Sequence, residues 1–130
     1  MTKVEMIHEK AVKDLEFQYK IVMDKSVDGV FIYLDDEHKA CNTKLADMFG
    51  YTKAEWEAKS PFLDNFIAED DRQTVSDNYW KYIKGARTVS SAVMRGVRKD
   101  GKLFKAHITQ FPLSYKRRLF TIGFVHKVAS

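Results

Sequence analysis

Cysteine is nearly absent from this chain, with Cys41 the single example, so no internal disulfide braces the fold. A lone cysteine of this kind is usually a small buried hydrophobe rather than a reactive thiol. Proline and glycine are sparse and dispersed, which leaves no flexible or low-complexity linker and no repeat. No apolar run approaches the ~18 residues that span a bilayer. The first ten residues alternate charged with apolar side chains and hold no signal-peptide core, so the expected location is cytoplasmic, with no membrane partner.

Chemistry-bearing patterns are missing too. The histidines His8, His38, His107 and His126 are scattered, and no His or Cys pair has ligand spacing, so no metal site is expected. There is no Gly-rich phosphate loop and no nucleophile motif. The acidic pairs Asp35-Asp36 and Asp70-Asp71 fall at a turn and at a helix start, where carboxylates are routine. An enzyme is therefore not expected. The net charge of +4 comes from basic residues interleaved with acidic ones, and only Lys116-Arg117-Arg118 forms a cluster, at a turn. A nucleic-acid partner would call for a basic face, which is lacking.

What remains is an ordinary globular composition, 45% hydrophobic and 31% charged over 130 residues, enough for one domain with one real core. Val4, Ile7, Ala11, Leu15 and Val22 recur at helical spacing and predict a helix from residue 3 to about 25. Its narrow stripe suits packing on the domain or pairing with a second helix. Asp28-Gly29 breaks it, and Val30-Phe31-Ile32-Tyr33-Leu34 and Lys39-Ala40-Cys41 read as two strands around an acidic turn. Asn42 caps a short helix that Gly50 closes. Thr52-Lys53-Ala54-Glu55 is a capping box that opens another, carrying Trp56 and ended by Pro61. Residues 62–67 read as irregular, and Asp70 with Gln73 opens a longer helix to about Ile83, stopped by Gly85. Three long strands close the chain, Thr88 to Arg98, Leu103 to Leu113 and Leu119 to Val128, the first two joined by the hairpin turn at Asp100-Gly101. This order gives an α+β fold: a five-stranded antiparallel sheet with short helices on one face and an N-terminal helix.

Strand alternation sorts side chains between two faces. One is expected to hold Ile32, Leu34, Met94, Gly96, Phe104, Ala106, Ile108, Gln110, Thr121, Gly123 and Val125. The other is expected to hold Phe31, Tyr33, Val93, Val97, His107, Phe111, Phe120, Ile122 and Phe124. Both are apolar, so both need cover. The central helices cover one. The N-terminal helix, a second copy of the chain, or both must cover the other. The small residues Gly96, Ala106 and Gly123 leave space on the first face, either filled by large partners or kept as a cavity. A one-residue slip in any strand would exchange its faces.

Ser26-Val27-Asp28-Gly29-Val30-Phe31-Ile32, the run Asn42 to Glu55, Glu69-Asp70-Asp71-Arg72 and Arg98-Lys99-Asp100-Gly101-Lys102-Leu103-Phe104 occur in the order and with the gaps of one family. From about Tyr19 to Val128 the chain resembles the PAS domain family. The resemblance implies a sensory module over residues 26–130, an N-terminal dimerisation or signal helix over 1–25, and a ligand or an empty core held between sheet and helices. It implies signalling through a homodimer or a protein partner; the alternative is a ligand-free association module. Pocket residues on this reading are Ile32, Leu34, Phe66, Val75, Tyr79, Tyr82, Met94, Gly96, Ile108, Gln110 and Thr121, around a small, largely apolar ligand. Interface residues are Val4, Ile7, Ala11, Leu15, Phe31, Tyr33, Phe111, Phe120 and Phe124.

The departures narrow the cofactor. Light-oxygen-voltage members carry a reactive cysteine where this chain has Ser60-Pro61-Phe62, so a flavin photoadduct is excluded. Haem-binding members place a histidine on the long central helix, and residues 70–84 contain none. The cofactor is thus left unassigned. Lys127-Val128-Ala129 stands where members wired to an output domain end in Asp-Ile-Thr, which argues against a kinase or cyclase directly downstream.

Overall fold

The computed structural model describes residues 2–81 and 90–128. Helix α1 (Lys3–Gln18) starts at Thr2, whose hydroxyl accepts the Glu5 N–H. Tyr19 leaves helical geometry (φ −100°, ψ 19°), and α2 (Lys20–Lys25) continues beyond it. The single helix expected from periodicity is therefore bent in two. The bend lets Met23 join the same apolar cluster as Ala11, Val12 and Leu15.

Five strands follow the expected pattern: β1 (Gly29–Asp35), β2 (His38–Cys41), β3 (Ser90–Val97), β4 (Leu103–Tyr115) and β5 (Arg118–Lys127). Their spatial order is β2-β1-β5-β4-β3, antiparallel throughout. Between the β1–β2 hairpin and the β3–β4–β5 meander run α3 (Thr43–Phe49), α4 (Lys53–Ala58), α5 (Phe62–Phe66) and α6 (Arg72–Lys81). Local chemistry sets their ends. The Asn42 side chain caps α3, Gly50 closes it at φ 80°, and the Thr52–Glu55 capping box opens α4 with both reciprocal bonds formed.

Two local readings need correction. Residues 62–66 are helical rather than irregular. The Arg72 guanidinium donates to the Leu63, Asp64 and Ile67 carbonyls at 3.2, 3.2 and 3.0 Å, tying down the end of a one-turn helix whose Leu63 carbonyl also accepts the Ile67 N–H. Asp70 and Gln73 do not open α6. A 3-10 turn (Glu69–Asp71) precedes it, Gln73 donates to Asp77, and Asp71 instead bonds the Arg95 backbone and guanidinium at 2.8–3.2 Å. The expected end of that helix at Ile83 and Gly85 lies outside the described residues.

Two cores flank the sheet. Phe31, Met94, Phe104, Ala106, Ile108 and Val125 face α3–α5 with Leu45, Phe49, Trp56 and Phe66. Val30, Ile32, Phe120 and Ile122 face α1 and α2. The second set covers the β2-β1-β5 side of the outer face. Val93 and Phe111, on β3 and β4, stay 55% and 37% exposed.

The β4–β5 hairpin carries strain. Tyr115 pairs with Arg118, leaving Lys116 (φ 48°) and Arg117 (φ 66°) as a two-residue loop with both positions left-handed. Neither is glycine or asparagine, and each costs roughly 1–2 kcal/mol in that region. Replacing them together, Lys116→Asn with Arg117→Gly, is expected to stabilise the protein by about 1–2 kcal/mol. Differential scanning calorimetry should then read a Tm roughly 5 °C higher. An unchanged Tm would show that the loop relaxes freely.

Candidate functional site

The inner side of the sheet leaves an apolar cavity of about 270 Å³, under β1, the β4–β5 pair, α5 and α6. Its wall is an aromatic box. The Tyr33 ring meets Phe62 and Tyr79 edge-on at 5.8 and 5.9 Å, and Phe31 lies 6.0 Å from Phe62. Val75 and Ser76 close it from α6, and Trp80, 53% exposed, stands at its edge. Gln110 and Thr121 reach it from the sheet, a primary amide and a hydroxyl, and Asp36, Asp64 and Ser76 are further polar residues of a mainly apolar lining.

The box is held by polar contacts at its rim. The Tyr33 hydroxyl donates to Asp36 Oδ1 at 3.0 Å, and the Phe62 N–H donates to the same oxygen at 3.0 Å. Burial, with the Asp36 charge beside it, pushes the Tyr33 phenol well above its usual range, so it stays a neutral donor. The turn carrying Asp36 is tied down by Lys39, 6% exposed. Its ammonium donates to the Asp36, Glu57 and Lys59 carbonyls, the last two at 3.2 and 2.6 Å. Burial lowers the Lys39 pKa from the ordinary lysine value, while nearby carboxylates oppose the shift. One turn thus connects the cavity rim to the end of α4.

Four of the expected pocket residues line this cavity: Val75, Tyr79, Gln110 and Thr121. Phe66, Met94, Gly96 and Ile108 lie instead in the packed core beside it. The space left by the small residues is filled. A Cβ on Gly96 would sit 2.6 Å from the Phe104 ring, and one on Gly123 would sit 2.2 Å from the Phe31 ring. Ile32 and Leu34 are on the opposite side, packed with the α1 cluster. Tyr82 lies outside the described residues.

The interface assignment needs a matching correction. Phe31 and Tyr33 face the cavity, because β1 pairs Phe31 with Gly123 and Tyr33 with Thr121. Ala11, Leu15 and Phe120 are 2%, 1% and 0% exposed, buried within the chain by α1 packing on the sheet. Val4, Ile7 and Phe111 are exposed, and Phe124 is half-buried against the ring of Phe111 at 5.8 Å.

A wider groove of about 720 Å³ lies between α1–α2 and α3–α4, lined largely by Lys and acidic side chains. Its polar walls suit solvent better than a small apolar molecule. Cys41 adjoins it but is fully buried, and burial together with the Glu57 charge pushes its thiol up to about 12. A group with potential for metal was invisible to sequence spacing: His8, Asp35 and His38 place one donor atom each within 4.8 Å of one another. Among the described residues no helix is long and apolar enough to cross a membrane.

Comparison with known proteins agrees with this architecture. Residues 38–125 match a family model described as the PAS fold. Comparison with the curated proteins yields no match. Among solved structures, the PAS domain of a two-component sensor histidine kinase superposes with a TM-score of 0.68 at 18% identity, covering 89% of this chain and 99% of that one. The PAS domain of a LuxR-family transcriptional regulator from Burkholderia thailandensis, solved in complex with ethanol, gives 0.68 and 18%, covering 86% and 98%. The light-oxygen-voltage protein of Rhodobacter sphaeroides gives 0.70 at 16% identity, covering 88% and 68%. With the matched family model spanning β2, the helical crossover and nearly all of the β3–β4–β5 meander, well over half of the chain, the chain belongs to the PAS-fold family.

Proposed function

We propose that this chain is a sensory module that takes a small, largely apolar ligand into the cavity beneath Tyr33 and reports occupancy through its N-terminal helix. The observation that carries this reading is the double role of β1. Phe31 and Tyr33 form the cavity wall, while Val30, Ile32 and Leu34 on the same strand seat α1 and α2. Alternation makes the two sets move together. A ligand that presses on the aromatic box displaces the seat of α1, provided it binds one arrangement better than the other.

The volume limits the ligand. About 270 Å³ falls just below the ~300–1,000 Å³ typical of pockets for drug-sized molecules, so a compact molecule of few heavy atoms fits. Gln110 and Thr121 supply donors and acceptors to orient one polar group, and the rings supply apolar contact. A small alcohol, as found in the Burkholderia relative, has this character. No thiol stands at the cavity wall, which Pro61 helps to line, so the reading needs no flavin adduct. Signal output goes to a second copy or a signalling partner across the exposed apolar residues Phe17, Ile21, Val93 and Phe111. Size-exclusion chromatography with light scattering tests that arm, and a monomer at high micromolar concentration would remove it.

The ligand arm is tested by titrating ethanol and n-butanol into labelled protein and following amide shifts. Shifts are expected along β1, α5, α6 and the facing stretch of β4 and β5. Ser76→Phe, which places a ring in the cavity from α6, is expected to weaken them at least roughly ten-fold while leaving the far-ultraviolet spectrum unchanged. Undiminished shifts in that variant would locate binding elsewhere.

A further inference from the structure

We propose that His8, Asp35 and His38 form a binding site for a divalent transition-metal ion of the zinc type, which clamps the N-terminal half of α1 to the β1–β2 hairpin. Three donors converge here from two separate elements. His8 is on α1, while Asp35 and His38 face each other as the last paired residues of the hairpin. Simple alternation would put Asp35 on the cavity side with Tyr33. A register shift between Tyr33 and Asp35 turns it to the outer side, where His38 and α1 lie. The bulge therefore aims the carboxylate at both imidazoles.

The geometry is close to that of a bound site. Asp35 Oδ1 lies 2.7 Å from His38 Nδ1, and Asp35 Oδ2 lies 4.0 Å from His8 Nδ1. The two imidazole rings meet edge-on at 5.2 Å, and the donor atoms fall within 4.8 Å of one another. A tetrahedral ion with bonds of about 2.0–2.2 Å needs its donors about 3.4 Å apart, so side-chain torsions must open the 2.7 Å pair and close the 4.0 Å pair by well under 1 Å each. All three residues are half-buried, which orders them yet leaves an open position for water or a fourth ligand. Two imidazoles with one carboxylate suit zinc, nickel or copper and disfavour magnesium, which prefers oxygen donors and near-octahedral geometry.

The surroundings favour a cation. Beside His38 a groove between α1 and α4 is lined by Glu5, Glu9, Glu16, Glu37 and Glu57 against only Lys13 and Lys39. The site also has mechanical work to do. The buried positions of α1, Ala11, Val12 and Leu15, are all in its C-terminal half, and Asp14 adds a bond there from the Tyr115 hydroxyl at 3.1 Å. An ion held by His8 would pin the first two turns, which carry exposed Val4, Met6 and Ile7. Metal supply would then set the order of the helix independently of any cavity ligand.

The test uses the full chain without an affinity tag, titrated with zinc ion against a chromophoric chelator. One zinc per chain is expected with a micromolar or tighter dissociation constant. His8→Ala and His38→Ala should each weaken it at least roughly ten-fold, while His107→Ala and His126→Ala leave it unchanged. Zinc should also slow amide exchange over residues 3–10 in the native chain and not in His8→Ala. His8 is on the exposed half of α1, so its variant folds even where His38→Ala does not. Absent binding, or binding that survives His8→Ala, overturns the proposal.

Discussion

Asn42→Ala is expected to lose roughly 4 kcal/mol of stability, a large share of what a domain of this size has. The side chain is 6% exposed and makes every hydrogen bond a primary amide can make at these positions. Its Oδ1 accepts from the Val30 N–H at 3.0 Å and the Leu45 N–H at 2.9 Å. Its Nδ2 donates to the Met23 carbonyl at 3.0 Å and the Asp28 carbonyl at 3.2 Å. One residue thus joins the end of α2, the start of β1 and the first turn of α3. Each bond contributes about 1 kcal/mol, and truncation leaves buried donors and acceptors unpaired. Asn42→Asp separates the two halves of the role. It keeps the acceptor, and aspartate is as good an N-cap, but it loses both donors and sets an anion against two carbonyls. Urea unfolding followed by circular dichroism should rank native above Asp above Ala. An alanine variant within 1 kcal/mol of native would mean that water replaces the amide.

The N-cap role of Asn42 was legible in the sequence; its bonds to Val30, Met23 and Asp28 were not. This division runs through the molecule. Signals confined to a few consecutive residues read correctly: the Thr52–Glu55 capping box, Gly50 at the end of α3, and Asp100-Gly101 with Gly101 at φ 86°. The phase of β1 did not. Val30 to Leu34 is apolar at every position, because both of its faces are buried, so alternation carries no information there. Only pairing with β5 fixes which side Phe31 takes. That one-residue ambiguity exchanged two pocket residues for two interface residues. Glycine misled for a related reason. A missing side chain marks where something approaches closely, and at Gly123 the approaching group is the Phe31 ring rather than a ligand. The cavity lies one step away, where the rings of Phe31, Tyr33, Phe62 and Tyr79 meet tilted or edge-on and leave space between them. Nor does spacing along the chain reveal the His8–Asp35–His38 group, since a helix packed on a hairpin brings it together.

Alkaline unfolding should be steep, and Cys41 should account for a definable part of it. The thiol is fully buried on β2, its own backbone N–H donates to Glu57 Oε2 at 3.0 Å, and its pKa rises from 9.0 to about 12. The unfolded chain releases this proton near pH 9 and the folded chain holds it. The folded state therefore binds more protons between those values, and its stability falls as pH rises. The contribution is fully present below about pH 9 and declines by about 1.4 kcal/mol per pH unit until about pH 12. By pH 11 the loss from this one group is on the order of 2–3 kcal/mol. Tyr33, also raised, acts in the same direction above its ordinary value of 10.0. Lys39 acts in the opposite one, since a lowered folded pKa makes stability rise with pH up to 10.5. Cys41→Ala isolates the thiol. The small space it leaves lowers stability by about 1 kcal/mol at every pH, while the slope between pH 9 and 11 flattens by up to about 1.4 kcal/mol per unit. Urea midpoints at three alkaline pH values measure both. The same burial makes the native thiol slow toward maleimide at pH 8, with labelling at the rate of local opening. Parallel stability lines for the two proteins, or thiol labelling as fast as in denatured chain, would show that Cys41 reaches water in the folded state.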